Sequence, residues 1–158
     1  VNTANPTVST LSEAFVAAAD GAQGWHGQCW DGVAEVPVTT LDALIAAHGV
    51  PDFVKIDVEG LEDAVLAGLS RPLPCLSFEV TTIHRGAALR ALDRLAALGP
   101  FATALSLGES FRLEPEGWLD PDAMRQRLAA LPDAANSGDV YVAPPDRLPP
   151  LVPGQAAG

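Results

Sequence analysis

The segment that most constrains the fold is residues 52–62, which read DFVKIDVEGLE. Residues 53–58 form a short run rich in β-branched side chains, and such a run predicts a buried β-strand. Gly60 then leads into an apolar helical pattern that continues to Leu69 and stops before Pro72. A strand that passes directly into a helix through a short turn is typical of α/β folds, so the sequence predicts an α/β domain.

The acidic residues of this segment follow the end of the predicted strand. Because side chains alternate along a strand, Lys55, Asp57 and Glu59 are expected on one side of it. Ligands of open α/β sheets bind at the carboxyl edge of the strands, so this position favours a functional site. The alternative is structural: Asp57 would cap the following helix, and Glu59 and Glu62 would complement its dipole.

A second strand is predicted at residues 73–80, and it carries the next acidic side chain. If the helix at residues 61–69 connects two parallel neighbouring strands, Glu79 comes to the same carboxyl edge as Asp57. His84 and Arg85 follow directly and would lie on the same rim. The alternative is a solvated loop in which Glu79 forms an ion pair with Arg85.

The remaining sequence alternates helical and extended patterns. Thr10 and Glu13 match a capping box, which predicts a short helix that ends at residues 20–21. Segment 24–32 is expected to be a surface loop with Trp25 and Trp30 packed against the protein, or a flap over a substrate pocket. Further helices are predicted after Thr39 or Thr40, at residues 86–98 and from Asp120, and further strands at 101–107, 111–113 and 140–143, with a turn at 136–139.

Composition and charge limit the partners of the chain. A formal net charge of −11 argues against nucleic-acid binding, which needs clustered Lys and Arg. The two cysteines cannot form a disulfide framework, so a reducing, cytoplasmic location is predicted. His26 and Cys29 have a spacing that metal sites use, but no further Cys or His completes a site, so no metal ligands are assigned. No apolar run reaches the length of a membrane span.

Several sequence blocks resemble the FkbM-type methyltransferases. They are residues 38–44 (VTTLDAL), 55–62 (KIDVEGLE) and 65–68 (VLAG), with 9–11 (STL) and 76–79 (LSFE) in the same order as in that family. The resemblance implies a Rossmann-like fold, with a partly parallel sheet and helices on both faces. It also implies S-adenosylmethionine as the cofactor and a hydroxyl of a sugar or natural product, a small molecule, as the acceptor.

The resemblance also implies roles for particular residues. Asp57 and Glu59 would lie near the methyl end of the cofactor and the acceptor. Ser9 and Thr10 would, with Asp57, contact the cofactor, although helix capping alone also explains these two hydroxyls. Methyl transfer to a hydroxyl requires a nearby group that accepts the proton. Three side chains of the predicted rim are candidates for this base: Asp57, Glu79 and His84.

One motif of the resembling family is missing. The glycine-rich loop that holds the methionine part of the cofactor lies upstream in those enzymes, and Gly21, Gly24 and Gly27 have neither its spacing nor a preceding strand. The chain also begins at Val1. We therefore expect residues 1–143 to be the carboxyl-terminal part of a methyltransferase domain that lacks its first strands, followed by a proline-rich, disordered tail at residues 144–158.

Two other functions agree with the sequence. A sheet that lacks its first strands exposes an edge, so the chain could be a non-catalytic binding or assembly module, including a homo-oligomer. A metal-dependent hydrolase that uses Asp57, Glu59 and His84 is the other function, and it would need further ligands that the sequence does not identify.

Overall fold

The structure, a computed structural model, describes residues 1–148 and contains a mixed four-stranded sheet. The strands lie in the order β1-β2-β4-β3; β1 and β2 are parallel, and the other neighbours are antiparallel. They are Val54–Ile56 (β1), Leu76–Thr81 (β2), Ala102–Leu107 (β3) and Ser137–Ala143 (β4). The predicted α/β class and the partly parallel sheet are thereby confirmed.

Five α-helices accompany the sheet within the described residues. They are Glu13–Ala19 (α1), Leu41–His48 (α2), Glu62–Ala67 (α3), Arg85–Leu98 (α4) and Pro121–Ala129 (α5). Short 3-10 turns occur at Pro6–Val8, Thr82–His84, Gly108–Ser110, Asp133–Ala135 and Pro145–Arg147. A membrane-spanning helix would have to be longer and more apolar than any of the helices between residues 1 and 148.

The elements β1, α3 and β2 form the predicted strand–helix–strand unit. Lys55 pairs with Ser77 and Ile56 with Phe78 in a parallel register. Both strands therefore end at the same edge of the sheet, which is where the sequence places its acidic residues. In the described sheet β1 pairs only with β2, so its other side is an edge.

The apolar core lies on one face of the sheet. Phe78 of β2, Val140 of β4 and Leu105 of β3 are neighbours on this face and are at most 2% exposed. Each helix from α2 to α5 contributes buried side chains to the same core: Ile45, Leu66, Leu92 and Leu128 are examples. Burial of an apolar side chain of this size contributes roughly 1.5–3 kcal/mol, so this layer holds the helices on the sheet.

The opposite face of the sheet is lined by polar and smaller side chains. Ser77, Tyr141 and Ala104 lie on neighbouring strands of this face. Phe53 packs beside Tyr141, with the ring centroids 6.4 Å apart. Within residues 1–148, the coil at residues 111–118 approaches this face in place of the second layer of helices that the sequence analysis expected.

The amino-terminal segment packs through aromatic residues. α1 is capped by Ser12, whose Oγ accepts a 3.1 Å hydrogen bond from the Phe15 amide, so the predicted capping box of Thr10 and Glu13 is wrong. Phe15 is fully buried and meets the Trp25 ring edge-on, with the centroids 5.0 Å apart. The Trp30 Nε1 donates to the Val8 carbonyl oxygen at 2.9 Å. The prediction that both tryptophans pack against the protein is confirmed.

Two predicted elements near the carboxyl end differ in the structure. Residues 111–113 were expected to form a strand but are coil, because Phe111 takes a left-handed conformation (φ 52°) that interrupts an extended chain. β4 begins at Ser137, three residues earlier than expected. Of the residues 136–139 predicted as a turn, only Asn136 adopts a positive φ, 60°, so the strand starts directly after it.

The predicted disordered tail is described only in part. β4 ends at Ala143, which is the predicted domain boundary. Pro145–Arg147 then forms a 3-10 turn. Residues 149–158 lie outside the described residues.

Candidate active site

The turn after β1 carries the first two acidic residues. β1 ends at Ile56, and Glu59 and Gly60 then both adopt positive φ angles, 51° and 94°. A left-handed conformation costs a residue with a Cβ roughly 1–2 kcal/mol, so it persists at Glu59 because the surroundings impose it. The turn therefore holds Glu59 in a defined and strained position beside the carboxyl edge of β1.

Glu62 fixes this turn from the first residue of α3. Its Oε1 accepts hydrogen bonds from the amides of Val58 (3.3 Å) and Gly60 (3.1 Å), and the residue is 3% exposed. The N-cap residue of α3 is Leu61, which makes no side-chain cap, so the alternative in which Asp57 caps this helix is wrong. Glu62 was predicted only to complement the helix dipole, and its hydrogen bonds to the amides of the turn go beyond that prediction.

Three carboxyl groups meet at this edge. Carboxylate oxygens of Asp57, Glu59 and Glu79 lie within 4.8 Å of one another. Ile56 of β1 lies beside Phe78 of β2, so the residues that follow them, Asp57 and Glu79, reach the edge together. The predicted placement of Glu79 beside Asp57 is confirmed, and Glu59 joins them. Their catalytic roles stay predictions.

Burial and the charges of neighbouring carboxylates raise the pKa values of the three glutamates at this edge. Burial raises the pKa of Glu59 to about 7, and the charges of Asp57 and Glu62 add to the effect. Burial also raises the pKa of Glu79 to about 8, with contributions from Glu59, Asp57 and Glu62. Burial raises the pKa of Glu62 as well, although its amide hydrogen bonds oppose this. Near neutral pH the cluster therefore holds protons that ordinary carboxyl groups have lost.

Two oxygens of the cluster are buried without a hydrogen bond to any described residue, Oε2 of Glu59 and Oε2 of Glu79. An unsatisfied buried polar group costs roughly 1–3 kcal/mol, so such atoms are uncommon. The predicted ion pair between Glu79 and Arg85 is wrong: Arg85 donates to the Thr82 carbonyl and to Asp133, both at 2.8 Å. The cluster thus presents accepting atoms to a proton donor or a cation from outside the chain.

Lys55 is the cation next to the cluster. Its Nζ contacts the Asp139 carboxylate of β4 and lies 3.4 Å from Oδ2 of Asp57. Burial lowers the pKa of Lys55, but the hydrogen bond and charge of Asp139, together with the charge of Asp57, raise it overall. Asp139 was not predicted as a site residue, because the predicted turn at residues 136–139 included it. The alternation of the buried Val140 and Val142 is the signal that would have extended the strand back to it.

Of the two hydroxyl residues predicted to contact the cofactor, Thr10 reaches this site. Its Oγ1 donates a 2.6 Å hydrogen bond to the Glu59 carbonyl oxygen and accepts a 2.8 Å hydrogen bond from the Ser12 amide. The Ser9 Oγ accepts a 3.3 Å hydrogen bond from the Asn2 amide. Thr10 therefore helps to fix the acidic turn, whereas cofactor contacts of either residue stay a prediction.

His84 lies over the turn from the end of the 3-10 turn that follows β2. Its ring packs edge-on against Phe15, with the centroids 6.3 Å apart. A Cβ added at Gly60 would be 2.9 Å from the Nδ1 of His84, which places the imidazole directly against the turn. This Nδ1 is buried and finds no hydrogen-bond partner in the described part of the chain. His84 thus joins the site, and its role as a base stays a prediction.

The comparisons with known proteins agree with this geometry. Residues 7–129 match the family described as the methyltransferase FkbM domain, and this range contains Asp57, Glu59 and Glu79. The chain is also similar to the hexuronic acid methyltransferase AglP of Haloferax volcanii, with 32% identity over 95 residues. That match covers 57% of the chain and 40% of the relative, so the chain spans about two fifths of the length of this curated relative. Because the family match covers well over half of its residues, the chain belongs to the FkbM methyltransferase family.

Proposed function

We propose that the chain takes part in S-adenosylmethionine-dependent methylation of a hydroxyl group on a sugar or related natural product. The observation that carries this proposal is the convergence of Asp57, Glu59 and Glu79 at the carboxyl edge of two parallel strands, in a chain of the FkbM family. The hexuronic acid in the name of the Haloferax volcanii relative makes a sugar acid the first acceptor to test.

The acidic edge suits a positively charged donor. Glu59 and Glu79 each have a buried oxygen without a hydrogen-bond partner among residues 1–148. Carboxyl groups outnumber cations at this edge, where Lys55 contacts Asp57 and Asp139 while Glu59, Glu62 and Glu79 add three more. When bound, S-adenosylmethionine supplies a methyl group that is already activated on a cationic sulfur. The side chains proposed to contact it are Asp57, Ser9 and Thr10, and the negative charge of the edge favours its approach.

The remaining task of the chain is to position the acceptor and to take up its proton. An acceptor hydroxyl forms a bond to carbon through an oxygen lone pair, so its proton must move to a base as the ether forms. Asp57 is exposed and thus accessible to an acceptor, whereas Glu79 offers an unpartnered oxygen beside it. We propose Asp57 as the group that orients the hydroxyl. Glu79 in its ionised form accepts the proton, and its raised pKa of about 8 makes it a stronger base than an ordinary carboxylate, with His84 as the alternative base.

The experiment that tests this function is calorimetric titration of S-adenosylhomocysteine into the 158-residue chain, followed by a methyl-transfer assay with a hexuronic acid. S-adenosylhomocysteine is stable and keeps most of the cofactor's contacts. We expect saturable binding of one molecule per chain. A folded chain that does not bind it contradicts the proposal for this chain.

A second candidate function is assembly through the edge of β1. β1 pairs with one strand only within the described sheet, and apolar side chains beside it are exposed: Leu44, Val50 and Phe53, the last at 46%. Unpaired strand edges with apolar surroundings favour association. Light scattering after size exclusion tests it. A dimer that Phe53→Glu dissociates supports this function, and a monomer at all concentrations contradicts it.

A further inference from the structure

The three carboxyl groups at the sheet edge are spaced as ligands of one metal ion are. Six-coordinate ions with metal–oxygen distances of about 2.1–2.5 Å have ligand oxygens roughly 3–5 Å apart, depending on whether they are adjacent or opposite. One oxygen each of Asp57, Glu59 and Glu79 lies within 4.8 Å of the other two. They come from two different segments, the turn after β1 and the strand β2, so the site is built by the parallel pairing of the sheet.

Burial without partners is the second observation at this site. Glu59 is 8% exposed, and its Oε2 forms no hydrogen bond with any residue from 1 to 148. Oε2 of Glu79 is buried in the same way. A buried carboxylate is stable only when it is paired, protonated or bound to a metal. Within the described residues the protein provides no pair for these two groups.

The nearby cation, Lys55, does not form an ion pair with Glu59 or Glu79 within the described residues. Its contacts are with Asp139 and Asp57. Glu62 adds a further buried carboxyl group that is bound to two backbone amides. A divalent cation would therefore bind where carboxylates outnumber positive charges. Because the occupied site would not carry a net positive charge, it would not repel a cationic methyl donor beside it.

We propose that Asp57, Glu59 and Glu79 bind one divalent cation at the carboxyl edge of β1 and β2. All three ligands are carboxylate oxygens, so the site favours a hard cation such as Mg²⁺ or Mn²⁺ over Zn²⁺, which prefers nitrogen and sulfur ligands. Three protein ligands leave positions of a six-coordinate ion open. Those positions suit an acceptor that offers two oxygen atoms.

The use of this ion rests on the proposed function. A hydroxyl bound to a divalent cation loses its proton more readily, because the cation stabilises the alkoxide. Each ligand has a second carboxylate oxygen, so Glu79 coordinates the ion through one oxygen and accepts the hydroxyl proton through the other. The oxygen lone pair then forms the bond to the methyl carbon, and the electrons of the broken carbon–sulfur bond stay on sulfur.

The test is titration of Mn²⁺ into the 158-residue chain, followed by electron paramagnetic resonance of the free ion, with Mg²⁺ as competitor. We expect one saturable site that Mg²⁺ displaces. Glu59→Gln and Glu79→Gln each remove a charged ligand and keep the size of the side chain, so each should weaken Mn²⁺ binding at least about tenfold. Asp122→Asn is the control. It removes one carboxylate charge in the first turn of α5, outside the proposed site, and should leave Mn²⁺ binding unchanged.

Further measurements separate this inference from the proposed function. Circular dichroism melts establish that both Gln variants are folded. A wild-type chain without saturable Mn²⁺ binding up to millimolar concentration, or folded Gln variants that bind Mn²⁺ as the wild type does, overturns the cation site. S-adenosylhomocysteine binding in the presence of a chelator reports on the cofactor alone, so a chain that binds it but not Mn²⁺ keeps the proposed function and loses the cation. A chain with the opposite behaviour keeps the cation site and loses the cofactor.

Discussion

The Thr10 hydroxyl donates a 2.6 Å hydrogen bond to the carbonyl oxygen of Glu59, a residue 49 positions further along the chain. Glu59 holds a left-handed conformation in the turn that carries the acidic cluster. The same hydroxyl oxygen accepts a 2.8 Å hydrogen bond from the amide of Ser12, the residue that caps the start of α1. One side chain therefore links the amino-terminal helix to the turn that positions Glu59.

Replacement of Thr10 by Val should destabilise the protein by about 1 kcal/mol, because Val keeps the shape but leaves the Glu59 carbonyl and the Ser12 amide without this partner. Thr10→Ser keeps the hydroxyl and is the control. Urea unfolding followed by circular dichroism measures both variants. Equal stability of Thr10→Val and wild type would show that water or another group replaces the hydroxyl.

Gly60 permits both the turn and its packing. It has φ 94°, and an added Cβ would lie 2.8 Å from Phe15 Cδ2 and 2.9 Å from His84 Nδ1. Gly21 also has a positive φ, 71°, but an added Cβ there would meet no atom within 4 Å. Gly21→Ala should therefore cost only the conformational strain, roughly 1–2 kcal/mol. Gly60→Ala should cost roughly 1–3 kcal/mol more, because it also overpacks the site.

Chemical denaturation of the two glycine variants measures this difference in unfolding free energy. We expect Gly60→Ala to be the less stable of the two variants. If Gly60→Ala is no less stable than Gly21→Ala, then Phe15 and His84 do not hold the turn as closely as the structure describes.

The local elements were largely predictable from the sequence. Asp120 followed by Pro121 predicts the start of α5, and the Asp120 Oδ1 accepts the amides of Asp122 and Ala123 at 2.9 Å. The parallel pairing of β1 with β2 followed from a helix-length connection between two apolar strands. These features depend on residues near one another in the chain, where propensity and spacing are informative.

Contacts between distant segments were not predictable in the same way. Thr10 fits a capping box as well as it fits a contact with residue 59, and only in the folded chain does Ser12 cap α1 while Thr10 donates to the Glu59 carbonyl. Arg85 follows Glu79 by six residues in the sequence, which favoured an ion pair between them, but Arg85 donates to Asp133 instead. The convergence at the edge was predictable from strand direction, whereas the partners of each carboxyl group depended on the folded chain.

The raised pKa values of Glu59 and Glu79 predict that stability falls with rising pH. The pKa is about 7 for Glu59 and about 8 for Glu79 in the folded chain, against 4.5 for an ordinary Glu. The folded chain therefore binds more protons than the unfolded chain between about pH 4.5 and 8. The contribution of these two groups to the free energy of unfolding is largest below this window and declines through it, by about 1.4 kcal/mol per pH unit for each extra proton held.

Urea unfolding at several pH values, with a chelator present, measures this decline. Glu79→Gln and Glu59→Gln each remove one titrating group, so each should reduce the slope and raise stability at pH 8 relative to wild type. Glu109→Gln changes an exposed carboxyl group outside the cluster and should preserve the slope. A wild-type stability that does not change between pH 5 and 8 contradicts the buried state of these two groups.

Asp57 offers a test of function that is separable from stability. Its side chain is 47% exposed, and its one ion pair in the described structure, with Lys55, is partly solvated, so its loss should change stability by less than about 1 kcal/mol. Asp57→Ala should nevertheless lower kcat/KM for methyl transfer by roughly 10²–10⁴, because it removes the group that we propose orients the acceptor hydroxyl.

Asp93→Ala, which removes the exposed ion pair with Arg125 (2.6 Å), is the matched control and should keep wild-type turnover. A thermal melt and a methyl-transfer assay of both variants measure the two effects, and near-normal turnover of Asp57→Ala would remove Asp57 from the mechanism.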